Sequence, residues 1–155
     1  MPSRRQQMAM SDTEIQSFLR EQKKIVLVSN GKNGFPHPIH MLYHCDEDGI
    51  LWMTSYAKAM KVKNLERDPR ASLVVETSET YESAKSVIVF ARTEIVRDIE
   101  AVKWTFAQIA NKGIPDVPLP ASGDDGNKRA AKRVALKFIP EHYVSWDHGK
   151  LGGVY

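Results

Sequence analysis

The hydrophobic residues of this chain fall mainly into short continuous runs. Three of them cover Ile25–Val28, Ile50–Met53 and Leu73–Val75, and a longer β-branched run covers Ser86–Val96. Continuous apolar runs of this length, bounded by turn signals, are typical of buried strands. The pattern therefore predicts a chain built mainly from β-strands.

Helical spacing of apolar residues occurs in two other places. Ser11 is a good N-cap for a helix over Asp12–Gln22, because Glu14 stands three residues later as its capping-box partner. A second helix is predicted over Asp98–Asn111, and Gly113 is expected to stop it.

Turn signals separate the first strands. Glycines in Asn30–Gly34 and Asp46–Gly49 take the positive φ that hairpin turns need. The strand between these turns opens with Pro36 and Pro38. Because proline donates no ladder hydrogen bond, the beginning of that strand is expected at a sheet edge or a bulge and not in a central ladder. Since most strands follow one another through short turns, the sequence favours an antiparallel sheet of six or seven strands, closed into a barrel, over a parallel sheet.

The last third of the chain is predicted less regularly. Gly113–Gly126 is rich in proline and glycine and is interpreted as a loop, either a lid or a partly disordered segment. Within it, Asp124–Gly126 is interpreted as a turn. Two further extended runs, Val134–Ile139 and His142–Trp146, predict two more strands.

Length and composition place the chain among globular proteins. Its 155 residues suit one domain over residues 11–155, and we expect residues 1–10 to form a flexible tail. No apolar run approaches the roughly 20 residues of a membrane span, and no apolar segment follows the N-terminal arginines as in a secretory signal. The sequence therefore predicts a cytoplasmic protein that does not bind membranes.

Charge and cysteine content narrow the classes of ligand. The formal net charge of +3 comes from basic residues spread among acids, without a nucleic-acid motif, so a small anionic ligand fits better than nucleic acid. Cys45 is the single cysteine, which excludes an intramolecular disulfide and a cysteine-rich zinc site. We expect a buried or edge thiol without a catalytic role.

The stretch Ile50–Val75 has the most informative charge pattern. It predicts a strand, a short helix over Ala57–Arg67 and another strand. Lys58, Lys61 and Lys63 crowd the first half of that helix. The helix macrodipole instead favours acids there, each by about 0.3–1 kcal/mol. The lysines are therefore placed against the dipole.

A bound anion would compensate for this placement. Free backbone N–H groups, the hydroxyls of Thr54 and Ser55 and the ammonium groups of Lys58 and Lys61 are all expected near the helix N-terminus, where a phosphate binds well. A solvated lysine face explains the same charges equally well. The charges alone leave both interpretations open.

A family resemblance favours the phosphate. Three motifs stand in order between hairpin strands and a β-branched strand: Thr54-Ser55, Lys58-x-x-Lys61 and Asn64-Leu65-x-x-Asp68-Pro69-Arg70. Together they resemble the pyridoxamine 5′-phosphate oxidase-like flavin-binding split β-barrel family, over about Ile25–Val96. The ending Ser145-Trp146-Asp147-His148-x-Lys150-Leu151 resembles the branch with flavin- and deazaflavin-dependent reductases. The resemblance implies a mainly β fold with peripheral helices, an antiparallel split β-barrel of the FMN-binding type.

The same resemblance implies the cofactor contacts. The phosphate would lie on Lys61 and Lys58, with hydroxyl or backbone contacts from Thr54 and Ser55.

The flavin ring has its own implied contacts. The backbone of Ile39, His40 and Met41 would bond to the ring edge, with the Met41 side chain packed near the ring. Trp146 or Trp52 would stack on the ring, with Trp146 favoured, although either tryptophan is more often part of a core.

Three positions depart from the vitamin-forming oxidase. Pro38, Tyr43 and Met60 stand where that enzyme has basic residues at the strand ends and before the helix lysine. A C-terminal cluster of arginine and histidine for a substrate phosphate is also missing from the sequence. True pyridoxamine phosphate oxidase activity is therefore not expected.

The resemblance implies an FMN-dependent oxidoreductase that acts on a small-molecule substrate, with the cofactor between the subunits of a homodimer. A reductase using the deazaflavin coenzyme is one alternative, and a non-catalytic flavin- or haem-binding protein is another. No motif identifies the substrate or a catalytic residue.

Histidines invite a metal interpretation. His37, His40 and His44 occur in one extended segment, where strand geometry places His40 and His44 on one face and His37 on the other. No carboxylate or cysteine completes a tetrahedral set, so no metal is predicted. His142 and His148 are placed to reach a substrate from the C-terminal segment, without an acid–base partner that the sequence identifies.

Overall fold

The computed structural model describes residues 2–115 and 123–154. Its helices and strands are, in chain order, α1 (Arg4–Met8), α2 (Asp12–Glu21), β1 (Lys24–Asn30), β2 (Pro36–Leu42), β3 (His44–Cys45), β4 (Leu51–Tyr56), α3 (Met60–Arg67), β5 (Arg70–Thr77), β6 (Lys85–Val96), α4 (Ile99–Ala110), α5 (Gly123–Ala131) and β7 (Arg133–Asp147), followed by a 3₁₀ helix, His148–Leu151.

The strands form one seven-stranded sheet in the order β2-β1-β5-β6-β7-β4-β3, and each neighbouring pair is antiparallel. The prediction of a mainly β fold with peripheral helices, an antiparallel split β-barrel, is confirmed. None of the helices in the described ranges is both long enough and apolar enough to cross a membrane.

The core lies on the concave face of the sheet. Successive side chains of a strand point to opposite faces, and the inward set includes Ile25, Leu27, Leu51, Leu73 and Phe138, each at most 1% exposed. Helix α2 covers one end of this face with its predicted apolar stripe, Ile15, Phe18 and Leu19. Its Ser11–Glu14 capping box is also present, as predicted.

A single residue joins the two edges of the sheet. Strand β2 is one edge and ends at Leu42, whereas β3 is the other edge and begins at His44. Two Cα–Cα steps span at most about 7.6 Å, so the edges must meet at Tyr43. The sheet is therefore curled until the chain itself closes the barrel at this point.

Tyr43 is held firmly at this junction. Its side chain is fully buried, and its hydroxyl donates a hydrogen bond of 2.6 Å to the carbonyl oxygen of Leu19. The Lys112 ammonium lies 4.1 Å from the ring centroid and donates to the carbonyl oxygen of Gln22. Burial raises the pKa of the Tyr43 hydroxyl, which keeps it protonated as a donor. The junction thus connects the sheet edges to α2 and to the end of α4.

Two predictions about the C-terminal third are wrong. Gly123–Gly126, expected to be the end of a loop and to include a turn, is the first part of α5. The remainder of that predicted loop, residues 116–122, lies outside the described residues. The two predicted strands are one strand, β7, in which Glu141 is an extra residue between the Pro140–Ala91 and His142–Phe90 pairs. Such a bulge accommodates the proline that the pattern interpreted as a break.

Two N-terminal boundaries also differ. Residues 1–10 were expected to be a flexible tail, but α1 lies within them, capped by Ser3. Helix α3 begins at Met60 and not near Ala57, because β4 continues to Tyr56. The remaining predicted strands, turns and helices agree with the structure to within a few residues.

Removing the Tyr43 hydroxyl tests the importance of the junction. Tyr43→Phe leaves the buried Leu19 carbonyl without its donor, so we expect the free energy of unfolding to fall by about 1–3 kcal/mol in urea denaturation. Tyr56→Phe, which changes an exposed tyrosine, is the matched control and should leave stability unchanged. Equal stability of Tyr43→Phe and the wild type would contradict this role.

Candidate functional site

The end of β4 places two hydroxyls on opposite faces. Leu51, Met53 and Ser55 point inward and are at most 3% exposed, whereas Thr54 lies on the other face. The sequence analysis expected both hydroxyls near one phosphate, but the structure directs the Thr54 and Ser55 side chains to opposite faces of β4.

Helix α3 starts without the usual stabilising groups. Its N-cap is Ala59, whose side chain makes no capping bond, and its first turn contains no acid. The sequence predicts Lys58 and Lys61 one helical turn apart. In the structure Lys58 precedes the N-cap, so it lies outside the helix and that prediction is wrong. The carbonyl of Ala59 accepts from the N–H groups of Val62 and Lys63 at 3.0 and 3.2 Å. Neither the N-cap nor the first turn of α3 therefore supplies a negative side chain to the positive end of the helix dipole.

Lys61 and Ser55 are brought together. The Lys61 Nζ atom lies 3.3 Å from the Ser55 hydroxyl oxygen, and partial burial lowers the pKa of this lysine. Neither Lys61 nor Lys58 forms an ion pair within the ranges that the structure describes. Glu66, the acid in α3, pairs with Arg97 at 2.6 Å instead. Among residues 2–115 and 123–154, Lys58 and Lys61 therefore have no carboxylate as an ion-pair partner.

Polar contacts fix α3 across the end of the barrel. Val62 and Leu65 are buried in the core. The side-chain amide of Asn64 donates to the buried Ser29 hydroxyl at 3.1 Å. Arg67 donates to the Asn30 carbonyl oxygen at 2.6 Å. Because these contacts hold the helix at its far end against β1, Lys61 is kept beside β4.

The free edge of β2 presents backbone groups. The N–H of Gly31 donates to the Phe35 carbonyl oxygen at 3.0 Å, which makes these two residues a hydrogen-bonded pair in the turn between β1 and β2. Along an antiparallel pair of strands, hydrogen-bonded and non-hydrogen-bonded residue pairs alternate. The alternation directs the backbone of Ile39 and Met41 toward β1 and that of His40 and Leu42 toward the open edge. The two prolines that open β2 fall at open-edge positions, where no ladder donor is lost. Of the two predicted alternatives, an edge or a bulge, the structure has the edge.

The predicted ring contacts on β2 are therefore not equivalent. The side chains of Ile39 and Met41 pack against the core, and that of His40 is exposed on the other face. Of these three residues, His40 is the one whose backbone N–H and carbonyl face away from β1.

Trp146 lies apart from the lysines within one chain. It pairs with Ser86 near the C-terminal end of β7, whereas Ser55 pairs with Val134 near the N-terminal end of the same strand. Trp146 shares the outward face of the sheet with Phe90, which is 39% exposed.

The histidines do not form one group. His40 and His44 lie on different strands at opposite edges of the sheet, so the prediction that they share a strand face is wrong. His44 contacts the Trp104 ring edge-on at 5.6 Å, and the buried Nδ1 of His37 has no hydrogen-bond partner in the described structure. No cluster of three or more His, Cys, Asp or Glu suited to a metal occurs among residues 2–115 and 123–154.

The C-terminal motif anchors the end of the chain. Asp147 pairs with Lys85 at 3.1 Å, and Lys150 pairs with Glu14 at 2.6 Å. The Nδ1 atom of His148 is 2.8 Å from the carbonyl oxygen of Tyr81. These contacts tie the motif to α2 and to the loop before β6.

Within the described ranges, His142 and Cys45 make their contacts away from the lysines of α3. His142 stacks on Phe90 with ring centroids 5.9 Å apart. Cys45 is 3% exposed, and burial raises the pKa of its thiol to about 11, which agrees with the expected buried, unreactive thiol.

A cleft of about 510 Å³ lies between β3 and α4 and includes His44, Cys45, Trp104 and Lys112. Burial lowers the pKa of Lys112 to about 8. Its ammonium group contacts the Tyr43 ring and donates to the Gln22 carbonyl oxygen, so this lysine is part of the Tyr43 junction.

A model of the pyridoxamine 5′-phosphate oxidase family matches residues 11–147 of the chain. None of the curated proteins compared with the chain matches it.

Three solved structures have the same fold. A conserved hypothetical protein of Mycobacterium tuberculosis is 30% identical, with a TM-score of 0.82 over 99% of this chain and 95% of that one. An F420 reductase is 21% identical, with a TM-score of 0.66 over 83% of this chain and 94% of that one. A FAD-binding protein of Mesorhizobium loti is 20% identical, with a TM-score of 0.68 over 88% of this chain and 94% of that one. At these identities the last two likenesses establish the fold alone.

Sequence analysis missed the cations around the end of α5. Lys128, Arg129, Lys132 and Arg133 line a cleft with Tyr56. The run Lys-Arg-Ala-Ala-Lys-Arg carries this signal, with basic pairs four residues apart, but it was not assigned to any helix.

Replacing Lys61 by a neutral residue of similar length tests its electrostatic cost. Because burial lowers its pKa, Lys61→Met should raise the free energy of unfolding of the ligand-free protein at neutral pH. The difference in unfolding free energy between the variant and the wild type should narrow as the pH rises toward 10.5, the ordinary lysine pKa. Over that range the folded wild type loses the Lys61 proton first and the unfolded chain loses it afterwards, so the cost of burying the charge disappears. Urea denaturation measures both effects.

Lys63→Met, which removes an exposed charge from the same helix, is the control. A clear loss of stability in Lys61→Met alone would mean that the bond to Ser55 outweighs the cost of burial.

Proposed function

We propose that this chain, which belongs to the pyridoxamine 5′-phosphate oxidase family, is an FMN-dependent oxidoreductase that acts on a small-molecule substrate. One observation carries the proposal. Lys61 lies partly buried against Ser55 at an uncapped helix start, with no carboxylate to balance it among the described residues. A phosphate monoester supplies the missing charge and accepts hydrogen bonds from the ammonium, the hydroxyl and free N–H groups.

The residues of the chain hold and orient such a cofactor. Lys61, Ser55 and the exposed Lys58 bind the phosphate, while the open-edge backbone of His40 and Leu42 offers donors and acceptors for a polar ring edge. Bound FMN supplies hydride or single-electron transfer, and the protein supplies binding, orientation and exclusion of water.

The proposal includes a homodimer. The outward face of the sheet carries partly buried or exposed apolar side chains on neighbouring strands: Val26, Val28, Val74, Ile88, Phe90, Val144 and Trp146. A contiguous apolar surface is a common feature of protein interfaces. In the proposed dimer a second copy packs on this face and contributes its Trp146 to the first copy's cofactor site.

A reductase using the deazaflavin coenzyme is the second candidate. The similarity to an F420 reductase favours it, and that coenzyme also carries a phosphate. The absorption and fluorescence spectra of the ligand released from the purified protein by heat distinguish the two cofactors.

Lys61→Ala tests the phosphate contact. We expect FMN binding to weaken by about 1.5–3 kcal/mol, because a charge-assisted hydrogen bond is lost. Fluorescence quenching of FMN on titration with protein gives the dissociation constant. Lys63→Ala removes the same charge from the exposed side of α3 and should change it far less. Equal increases in the FMN dissociation constant for the two substitutions would contradict a direct contact between Lys61 and the phosphate, because they would show only a general attraction of FMN to positive charge.

Phe90→Glu tests the dimer. A charge at this position of the outward face should convert the protein to a monomer in analytical ultracentrifugation and, at the same protein concentration, reduce FMN binding. Phe35→Glu, in the exposed hairpin before β2, is the matched control. FMN binding by a monomeric, folded Phe90→Glu protein would contradict a site shared between subunits.

A further inference from the structure

A second group of cations lies near the start of α3, on the opposite side of the end of β4. Tyr56 in β4 pairs with Arg133 at the start of β7, and the end of α5 completes a cleft of about 620 Å³. We name it the basic cleft; its lining residues are Tyr56, Asp125, Lys128, Arg129, Lys132 and Arg133.

The charge of the basic cleft is unbalanced. Four lining residues are cationic and only Asp125 is acidic. None of the four cations forms an ion pair within the described ranges. The helix dipole favours Lys128 and Arg129 in the last turn of α5. Lys132 and Arg133 follow the helix, so the dipole explains only half of the charge.

An aromatic ring stands among these cations. The guanidinium carbon of Arg133 lies 3.9 Å from the centroid of Tyr56 and 5.1 Å from that of Phe106, which holds the arginine between two rings. Tyr56 remains 57% exposed. An exposed ring beside unpaired cations suits a ligand with both a planar base and a phosphate, because bases stack on aromatic side chains.

The basic cleft is connected to the lysines of α3. The N–H of Ala57 donates to the Lys132 carbonyl oxygen at 3.0 Å, and Lys58 is the next residue of the chain. Ser55, which contacts Lys61, precedes Tyr56 and points to the other face of β4. Two separate groups of cations thus flank the end of one strand.

We propose that the basic cleft binds a nucleoside phosphate, with the phosphate on the cations and the base against Tyr56. Two sources share this chemistry: the adenylate half of a flavin dinucleotide whose first phosphate lies on Lys61, and a separate nucleotide, such as a pyridine nucleotide electron donor. The proposal extends the proposed cofactor site, but binding in the cleft is measurable without any flavin.

The first measurement uses simple probes on the full-length protein freed of flavin. Isothermal titration calorimetry at low ionic strength gives the dissociation constants of 5′-AMP, 2′,5′-ADP and inorganic phosphate. In the double variant Arg129→Ala, Lys132→Ala we expect binding of both nucleotides to weaken by about 10- to 100-fold. Lys32→Ala, which removes an exposed lysine from the hairpin turn, should have no effect.

Tyr56 variants test recognition of the base. Tyr56→Ala should weaken 5′-AMP binding and leave phosphate binding unchanged, whereas Tyr56→Phe, which keeps the ring, should bind 5′-AMP as the wild type does. Tyr56 is exposed, so neither substitution is expected to unfold the protein.

A comparison of FAD with FMN identifies the source. If the cleft binds the adenylate of FAD, the double variant should lose affinity for FAD and keep its affinity for FMN. If a separate nucleotide binds, the double variant should lose 2′,5′-ADP binding, while the ratio of its dissociation constants for FAD and FMN should equal that of the wild type. Both results support the proposal.

Three results would overturn it. Unchanged nucleotide affinity in the double variant would show that Arg129 and Lys132 do not bind the phosphate. Equal affinities of the wild type for 5′-AMP and inorganic phosphate would show that the cleft does not recognise a base. Absence of 5′-AMP and 2′,5′-ADP binding at millimolar concentration would exclude the ligand class. Failure of the FMN site would instead appear as loss of FMN binding with nucleotide binding intact, so the two failures are distinguishable.

Discussion

One short connection determines the shape of this protein. Tyr43 alone links the two edge strands, so the seven-stranded sheet has to curl until its edges meet. The buried hydroxyl of Tyr43 secures the connection by its bond to α2. Curling leaves an open end of the barrel, which α3 crosses, and the contact between Asn64 and Ser29 fixes that helix in place. The position of Lys61 beside Ser55 follows from this arrangement.

Electrostatics then distinguishes this end of the barrel from the remaining surface. Seven ion pairs balance charges elsewhere in the described ranges, including the pair that takes Glu66 away from the lysines of its own helix. An exposed lysine without a partner costs little, because water and salt screen it. Lys61 is different, since burial lowers its pKa while the helix dipole opposes its charge. An anionic ligand relieves both effects at once.

Much of the fold follows from local sequence patterns. Continuous apolar runs identify the buried strands, and the Ser11–Glu14 capping box identifies α2. The prolines of β2 indicate an edge strand because their missing donors would break a central ladder. Local patterns failed where long-range packing determines the secondary structure. Pro140 predicts a strand break, but a bulge opposite β6 accommodates it. Helix α5 has few apolar residues, so its sequence cannot be distinguished from that of a loop. For the site, the sequence predicts Lys58 and Lys61 as phosphate contacts, and this stays a prediction. The structure adds that Thr54 and Ser55 point to opposite faces, because β4 continues past both of them to Tyr56.

The account depends on a phosphate at Lys61, and comparing FMN with riboflavin tests this most directly. The two flavins share the ring and the ribityl chain and differ in the phosphate alone. We predict that the wild type binds FMN more tightly than riboflavin by about 1.5–3 kcal/mol and that this difference largely disappears in Lys61→Ala. Equal affinities of the wild-type protein for the two flavins would contradict the account.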